Sequence, residues 1–286
     1  MNEQPVRSDE RLSGLRRAVL RAVATGPTRG PVQDVDSGVG ANETSGPLRV
    51  FREEFSLGAA PEDGVRPVDP DLFGAGFSWP LSGTPSPVFW DLETLGLADD
   101  PIVIFGSLRV VGGRLELVRL LACDPSGEPA LVRYAAEILG SSAIWGTFNG
   151  RSFDAPRLRK RAALHRVTIV EAPLHRDLLL EVRRRWKSEL PNCRLSTVER
   201  RLLGLDRGPH DVPGREVPER YRDFVRSGKF GWIAPVLEHN RRDVAAMAVL
   251  YRRLDAAGAF AALPTPSELP KRSRTNGTTC SRRPRK

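Results

Sequence analysis

The chain has 286 residues, of which 40% are hydrophobic and 28% are charged, enough for one large domain or two small ones. No apolar run approaches the length of a membrane span, and the first ten residues lack the apolar core of an export signal, so we expect a cytoplasmic protein without a membrane partner. The cysteines are odd in number and far apart, which predicts free thiols rather than disulfides or a zinc site. They are Cys123, Cys193 and Cys280.

The formal net charge of +9 is concentrated at the C-terminus. Seven of the 44 Lys and Arg residues lie in residues 271–286, which contain no Asp or Glu. Such a segment could contact nucleic acid non-specifically, or it could be a disordered, solubilising tail. The sequence leaves both interpretations open.

Composition divides the chain into four predicted segments. Residues 1–47 are polar and rich in Gly, Ser and Thr, with one helix-like stretch at Glu10–Val23, and we expect them to be mostly disordered. Residues 48–85 contain one possible strand and then many Pro and Gly, which predicts an irregular extension that packs on the domain. Residues 86–258 carry the regular apolar patterns of a folded domain, and residues 259–286 are predicted to be the basic, disordered tail.

The predicted domain begins with three apolar runs rich in Val, Ile and Leu: Val88–Glu93, Ile102–Val111 and Leu115–Ala122. Gly112 and Gly113 separate the second run from the third, which is a strong hairpin signal. The three runs therefore predict an antiparallel, three-stranded meander.

The elements that follow alternate between helix and strand. We predict a helix at Glu128–Leu139, a buried strand at Ala143–Phe148, a helix at Ala155–His165 and a possible short strand at Val167–Leu174. The remaining predicted helices are Arg176–Lys187, Leu195–Leu203, Val217–Arg226 and Trp232–Leu254. This order fits an α/β fold with one mixed sheet, in which the meander is extended by parallel strands with crossover helices.

Two carboxylates occupy the end of the first predicted strand. Asp91 and Glu93 are spaced i and i+2, so a strand directs both to one face. Adjacent anions repel each other, and a divalent cation is the usual counter-charge. The alternative is a solvated edge strand with two surface acids.

Two further acids follow later elements. Asp154 comes directly after the fourth predicted strand, in the stretch N-G-R-S-F-D. Asp243 lies on the last predicted helix, four residues after His239, so the two side chains share a helix face. Asp243 also falls near the apolar stripe of that helix, where a carboxylate needs a partner. That partner could be a metal ion or an arginine.

These motifs resemble the DEDD-type 3′–5′ exonucleases: D-L-E-T on a first strand, N-x-x-x-F-D after a fourth, and a His before the last helical Asp. A closer resemblance is to the bacterial YprB-like ribonuclease H-like family, over roughly Phe51 to Leu254. The matching stretches are FNGRSFD (148–154), HRDLL (175–179), CRLSTVE (193–199), LLG (202–204), DVPG (211–214) with Pro218 and Tyr221, and HN (239–240).

The resemblance implies a ribonuclease H-like fold and a site for two Mg²⁺ or Mn²⁺ ions. The metal-binding acids would be Asp91, Glu93, Asp154 and Asp243, and His239 would act on the attacking water. DEDD exonucleases place a Tyr four residues before the last Asp, or a His five residues before it. Here His239 stands at the four-before position, so its spacing departs from both patterns.

Residues next to the acids are candidates for substrate binding. They are Thr94, Asn149, Arg151 and Phe153. A turn role for Asn149 and a core role for Phe153 are alternatives. Asp177 could be a helix cap or an acid near the site, and the arginines of residues 183–187 could bind phosphate or form a solvated helix face.

The sequence therefore predicts a divalent-metal-dependent nuclease, a 3′–5′ exonuclease that acts by a two-metal mechanism. Its partner would be DNA or RNA that is single-stranded or has a free 3′ end. The alternative is a non-catalytic, ribonuclease H-like module that binds nucleic acid through its arginines.

Overall fold

The computed structural model describes residues 42–57, 65–79, 86–96, 100–208, 211–260 and 274–275. The helix-like stretch Glu10–Val23 and most of the predicted basic tail lie outside the described residues, so the predictions for these parts stay predictions. None of the helices in the described ranges is long and apolar enough to cross a membrane. Cys123 and Cys193 are free thiols, as predicted.

The strands fall mainly in the first two thirds of the chain. They are β1 (Asn42–Ser45), β2 (Leu48–Ser56), β3 (Arg66–Pro67), β4 (Val88–Thr94), β5 (Ile102–Val111), β6 (Arg114–Ala122), β7 (Ile144–Thr147), β8 (Ile169–Val170), β9 (Leu174–Asp177) and β10 (Arg274–Thr275). The three meander strands therefore begin and end within one residue of their predicted bounds.

The helices alternate with the later strands and then complete the domain. They are α1 (Pro70–Phe73), α2 (Glu128–Gly140), α3 (Asp154–Leu164), α4 (Leu178–Trp186), α5 (Leu195–Val198), α6 (Val217–Ser227) and α7 (Ala234–Ala256). The predicted helix Leu195–Leu203 is divided, because α5 continues into a π-helical turn at Glu199–Leu203. The possible strand at Val167–Leu174 is likewise two short strands, β8 and β9.

A single mixed sheet organises the domain in the order β1-β2-β6-β5-β4-β7-β9, with β3 beside β2. Neighbouring strands from β1 to β4 in this order are antiparallel. β7 is parallel to β4, and β9 is parallel to β7. The predicted architecture, an antiparallel meander extended by parallel strands, is confirmed.

The prediction of an irregular extension at residues 48–85 is wrong for its first part. β2 pairs with β6 over nine positions, from Leu48 opposite Ala122 to Ser56 opposite Arg114, and so belongs to the main sheet. β1, at the end of the predicted disordered segment, pairs with β2. Two parts of the predicted tail also have defined places: Phe260 is buried against Tyr251, and β10 pairs with β8.

The sheet is covered on both faces. On one face, α2 and α3 pack on Val88, Trp90 and Leu92 of β4. On the other face, α4 and α7 pack on Phe89 of β4 and on Leu108 and Leu117 of the next two strands. β4 therefore lies near the middle of the sheet, with one row of its side chains facing α7.

Candidate active site

Alternation along β4 places the first two acids. Val88, Trp90 and Leu92 enter the core under α2 and α3, so the intervening residues Phe89, Asp91 and Glu93 face α7. Asp91 accepts a 2.9 Å hydrogen bond from Asn240 Nδ2 of α7. The two carboxylates thus share one face, near the C-terminal end of the strand.

The loop after β7 places the third acid. Asn149 adopts a left-handed conformation (φ 67°), and a side chain at Gly150 would press against Thr147. The loop is fastened by Asp177, which accepts hydrogen bonds from the N–H groups of Asn149 (2.8 Å) and Arg151 (3.2 Å). This turn leads directly into α3, whose first residue is the buried Asp154.

Helix α7 contributes the last acid and the histidine. His239 and Asp243 lie one turn apart, with His239 Nε2 3.6 Å from Asp243 Oδ2. His239 Nδ1 is 2.7 Å from Asp211 Oδ1, in the segment before α6. Nδ1 has two neighbours with opposite demands: the Asp211 carboxylate only accepts a hydrogen bond, whereas the Arg207 guanidinium, 3.2 Å from Nδ1, only donates. The shorter contact, to Asp211, favours the tautomer that carries the proton on Nδ1 and the lone pair on Nε2.

Asp91 is close enough to the other three acids for their charges to act on it. Burial raises the pKa of Asp91 well above its ordinary value, and repulsion from Asp154, Asp243 and Glu93 raises it further. The hydrogen bond from Asn240 opposes this rise.

The other buried acids behave in the same way. Burial raises the pKa of Glu93 to about 8, with further contributions from Asp243 and Asp154. Burial also raises the pKa of Asp154 to about 7, with repulsion from Asp177 and Asp243 adding to it. Burial, the largest cause of each rise, favours the neutral form of these carboxyl groups, and a nearby cation would favour the ionised form instead.

Arg207 was not predicted, yet it lies at the edge of this cluster. Its guanidinium hydrogen-bonds to both oxygens of Glu199, with 2.6 Å to Oε1, and to Asp243 Oδ1. It also lies 3.2 Å from His239 Nδ1. Burial disfavours the charge on Arg207, but Asp243 and Glu199 outweigh this effect and raise its pKa. Sequence alone gave no signal, because Arg207 belongs to no periodic element and is one arginine among many.

The donor set fits a hard divalent cation. Carboxylate oxygens from β4, α3 and α7 are the ligands that Mg²⁺ and Mn²⁺ prefer. Within the described ranges, no group of three or more Asp, Glu, His or Cys side chains has an arrangement that could hold a metal ion as it stands. Asp243 is paired with Arg207, and Asp91 is bonded to Asn240. An ion bound at Asp243 would have to share that carboxylate with Arg207 or displace the Arg207 guanidinium from it.

The predicted substrate-binding residues have different surroundings. Arg151 is exposed, and Phe153 is 45% exposed with the Arg157 guanidinium 5.2 Å from its ring centre. Phe153 is therefore not a core residue. Asn149 performs the turn role that was its alternative, and the Thr94 hydroxyl donates to the Gly96 carbonyl at 2.8 Å.

Asp177 and the arginines of α4 have contacts that bear on the alternative roles predicted for them. Asp177 is the N-cap of α4, since it accepts a hydrogen bond from Leu179 N–H, and it also holds the loop before Asp154. Both predicted roles of Asp177 therefore coexist. On α4, Arg184 and Arg185 pair with Glu181, as expected for a solvated helix face.

The fold is that of the ribonuclease H-like class. A family model, RNase_H_2 of the RNase_H superfamily, matches residues 88–255, and the chain belongs to this family. The matched range contains every acid of the site. The prediction of a YprB-like, ribonuclease H-like family is thereby confirmed.

Two individual proteins are similar to this chain. "Uncharacterized protein YprB" of Bacillus subtilis (strain 168) is 34% identical over 169 residues, which cover 57% of this chain and 40% of that protein. The family B DNA polymerase from the hyperthermophilic archaeon Pyrobaculum calidifontis matches with a TM-score of 0.46 and 16% identity, over 63% of this chain and 25% of that one. The chain thus spans well under half the length of either relative.

Proposed function

We propose that this protein is a divalent-metal-dependent nuclease that hydrolyses nucleic-acid phosphodiesters from the 3′ end. What supports the proposal is that Glu93, Asp154 and Asp243 all act on Asp91, with His239 beside Asp243, in a chain of the RNase_H_2 family. A nuclease-type fold agrees with this chemistry. The cytoplasmic location predicted from sequence stays a prediction.

The proposed mechanism gives each residue a role that its surroundings support. The four carboxylates would hold two Mg²⁺ or Mn²⁺ ions, which when bound stabilise the charge that develops on the phosphate oxygens. His239 Nε2 accepts a proton from the attacking water, while Asp211 holds the imidazole by Nδ1. Asp211 thus performs for His239 what a carboxylate performs for a catalytic histidine in other hydrolases.

The substrate we propose is single-stranded DNA or RNA, or a duplex with a free 3′ end. Arg151 is exposed on the loop that leads to Asp154, where its guanidinium can pair with a phosphate. Phe153 presents its exposed ring beside the same acid, where it can stack on a base. These two residues would hold the strand end against the acids.

Degradation of single strands labelled at the 5′ or the 3′ end, with Mg²⁺, Mn²⁺ or EDTA, tests the proposal. We expect metal-dependent shortening from the 3′ end, which the double variant Asp91→Ala/Asp243→Ala abolishes. The matched control is Asp223→Ala, which removes an acid paired with the exposed Arg226.

Each outcome has a definite meaning. Unchanged degradation in the double variant would reject the site. Internal cleavage would reject only the 3′-end polarity. Salt-dependent binding without cleavage in any metal would favour the non-catalytic, nucleic-acid-binding alternative.

A further inference from the structure

Asn240 lies inside the proposed site, but it is not one of the acids or the histidine that define it. It occupies α7 between His239 and Asp243, and its side chain is 0% exposed. Its Nδ2 donates a 2.9 Å hydrogen bond to Asp91 Oδ2. When Asp91 is ionised, the Nδ2 end of the amide must face it, because the opposite orientation would bring two oxygens together.

The hydrogen bond between Asn240 and Asp91 depends on a glycine in the neighbouring strand β5. Gly106 of β5 is directly opposite Asp91 in the ladder. A Cβ atom at residue 106 would overlap the Asn240 side-chain oxygen, Oδ1. The absence of a side chain at Gly106 therefore lets the Asn240 amide reach across β5 to the carboxylate on β4.

Asn240 is not the side chain expected if this position served packing alone. Its Oδ1 is buried and has no hydrogen-bond partner among the described residues. Leaving a buried polar atom without a hydrogen bond destabilises the folded state, a cost that an apolar side chain of the same shape avoids. What the amide gains in exchange is the bond to Asp91.

We propose that Asn240 is a positioning residue for Asp91, and that Gly106 is the partner that makes its placement possible. The Asn240 amide fixes the rotamer of the Asp91 carboxylate by donating to Asp91 Oδ2. The amide does not occupy the other carboxylate oxygen, Asp91 Oδ1, which can then face an ion. This inference rests on the proposed function, because it assigns Asp91 to a divalent cation. It gives a role to one residue of the His239-Asn240 pair that carried the family resemblance.

Substitutions that keep the shape of the side chain separate positioning from packing. Leu has the same branching as Asn but no donor, so Asn240→Leu removes the bond to Asp91 and also the unsatisfied oxygen. We expect the thermal midpoint of the metal-free variant to stay at or above that of the wild type. We expect Mn²⁺ affinity, measured directly by calorimetry or by electron paramagnetic resonance, to fall about 10–100-fold.

A second variant, at Gly106, disturbs the same hydrogen bond between Asn240 and Asp91 without changing either residue. Gly106→Ala leaves both functional groups in place but pushes the amide away, so it should weaken Mn²⁺ binding as Asn240→Leu does. The two effects should not add in the double variant, because both remove one contact. Gly231→Ala is the matched control, since a Cβ there meets no atom within 4 Å.

The outcomes distinguish this inference from the proposed function. If the wild type binds no Mn²⁺, both are overturned. If the wild type binds Mn²⁺ and either Asn240→Leu or Gly106→Ala binds it equally tightly, only the positioning role is overturned. If Asn240→Leu loses stability and affinity in parallel, Asn240→Ala, which removes the amide and adds no ion ligand, decides: a folded Asn240→Ala with wild-type Mn²⁺ affinity overturns the role, and weakened affinity supports it.

Discussion

Asp177 accepts hydrogen bonds from three backbone N–H groups that belong to two parts of the chain. Asn149 and Arg151 donate from the loop after β7, and Leu179 donates from the first turn of α4. The side chain is buried at the C-terminal end of β9, beside the parallel strand β7. One residue thus fixes the start of a helix and the loop that delivers Asp154.

Replacing Asp177 with Ala should lower the free energy of unfolding by about 1–3 kcal/mol, because it removes a helix cap and leaves loop N–H groups without an acceptor. Asp177→Asn should lose less, since its side-chain oxygen still accepts. Denaturant titration measures both. Asp124→Ala, which removes an exposed acceptor for Ser126 N–H, is the control and should cost less; an equal loss would contradict the role of Asp177.

At the scale of elements, the strand β2 is joined to the domain by buried charges. Glu53 of β2 pairs with Arg119 of β6 at 2.7 Å and with Arg241 of α7 at 2.9 Å. Glu53 and Arg119 are both buried. The sequence L-R-V-F-R-E-E-F has too many charges to indicate a strand of the main sheet. β2 belongs to that sheet because Arg119 and Arg241 neutralise the buried Glu53.

Glu53→Ala should lower the free energy of unfolding by about 3–5 kcal/mol, because it leaves Arg119 buried without its carboxylate. The neighbouring Glu54 supplies the control, since its ion pair with Arg114 is about 40% exposed on both sides. Glu54→Ala should cost less than about 1 kcal/mol. Similar losses in the two variants, measured by urea unfolding, would mean that the buried pair contributes no more than the exposed one.

For the whole molecule, the sequence predicted the meander, the parallel extension and the elements that carry the acids. These features follow from apolar runs, a Gly-Gly turn and helical spacing, all of which are local. Arg207, Glu199 and Asn240 were not predicted as site residues, because their roles come from contacts between distant parts of the chain. Arg207, for example, meets Asp243 across 36 residues and follows no pattern of its own.

Divalent ions should stabilise the whole domain if they bind the folded site. At an Mn²⁺ concentration 100 times the dissociation constant, the gain in unfolding free energy should be about 2.7 kcal/mol. Calorimetry with Mn²⁺ and with EDTA measures this gain. Asp91→Ala/Asp243→Ala should show none, whereas Asp223→Ala should keep it; a gain of equal size in all three proteins would indicate binding elsewhere.

The hydrogen bond from Asn240 to Asp91 joins residues 149 positions apart. A chain made from its N-terminus presents Asp91 and Glu93 early, Asp154 later and Asp243 last, on the final long helix. Loops of such length close late in folding, after the local hairpins have formed. The candidate site is therefore incomplete in every folding intermediate in which α7 has not docked. Hydrolysis at this site would therefore require a docked α7, and chains without it would not cleave nucleic acid.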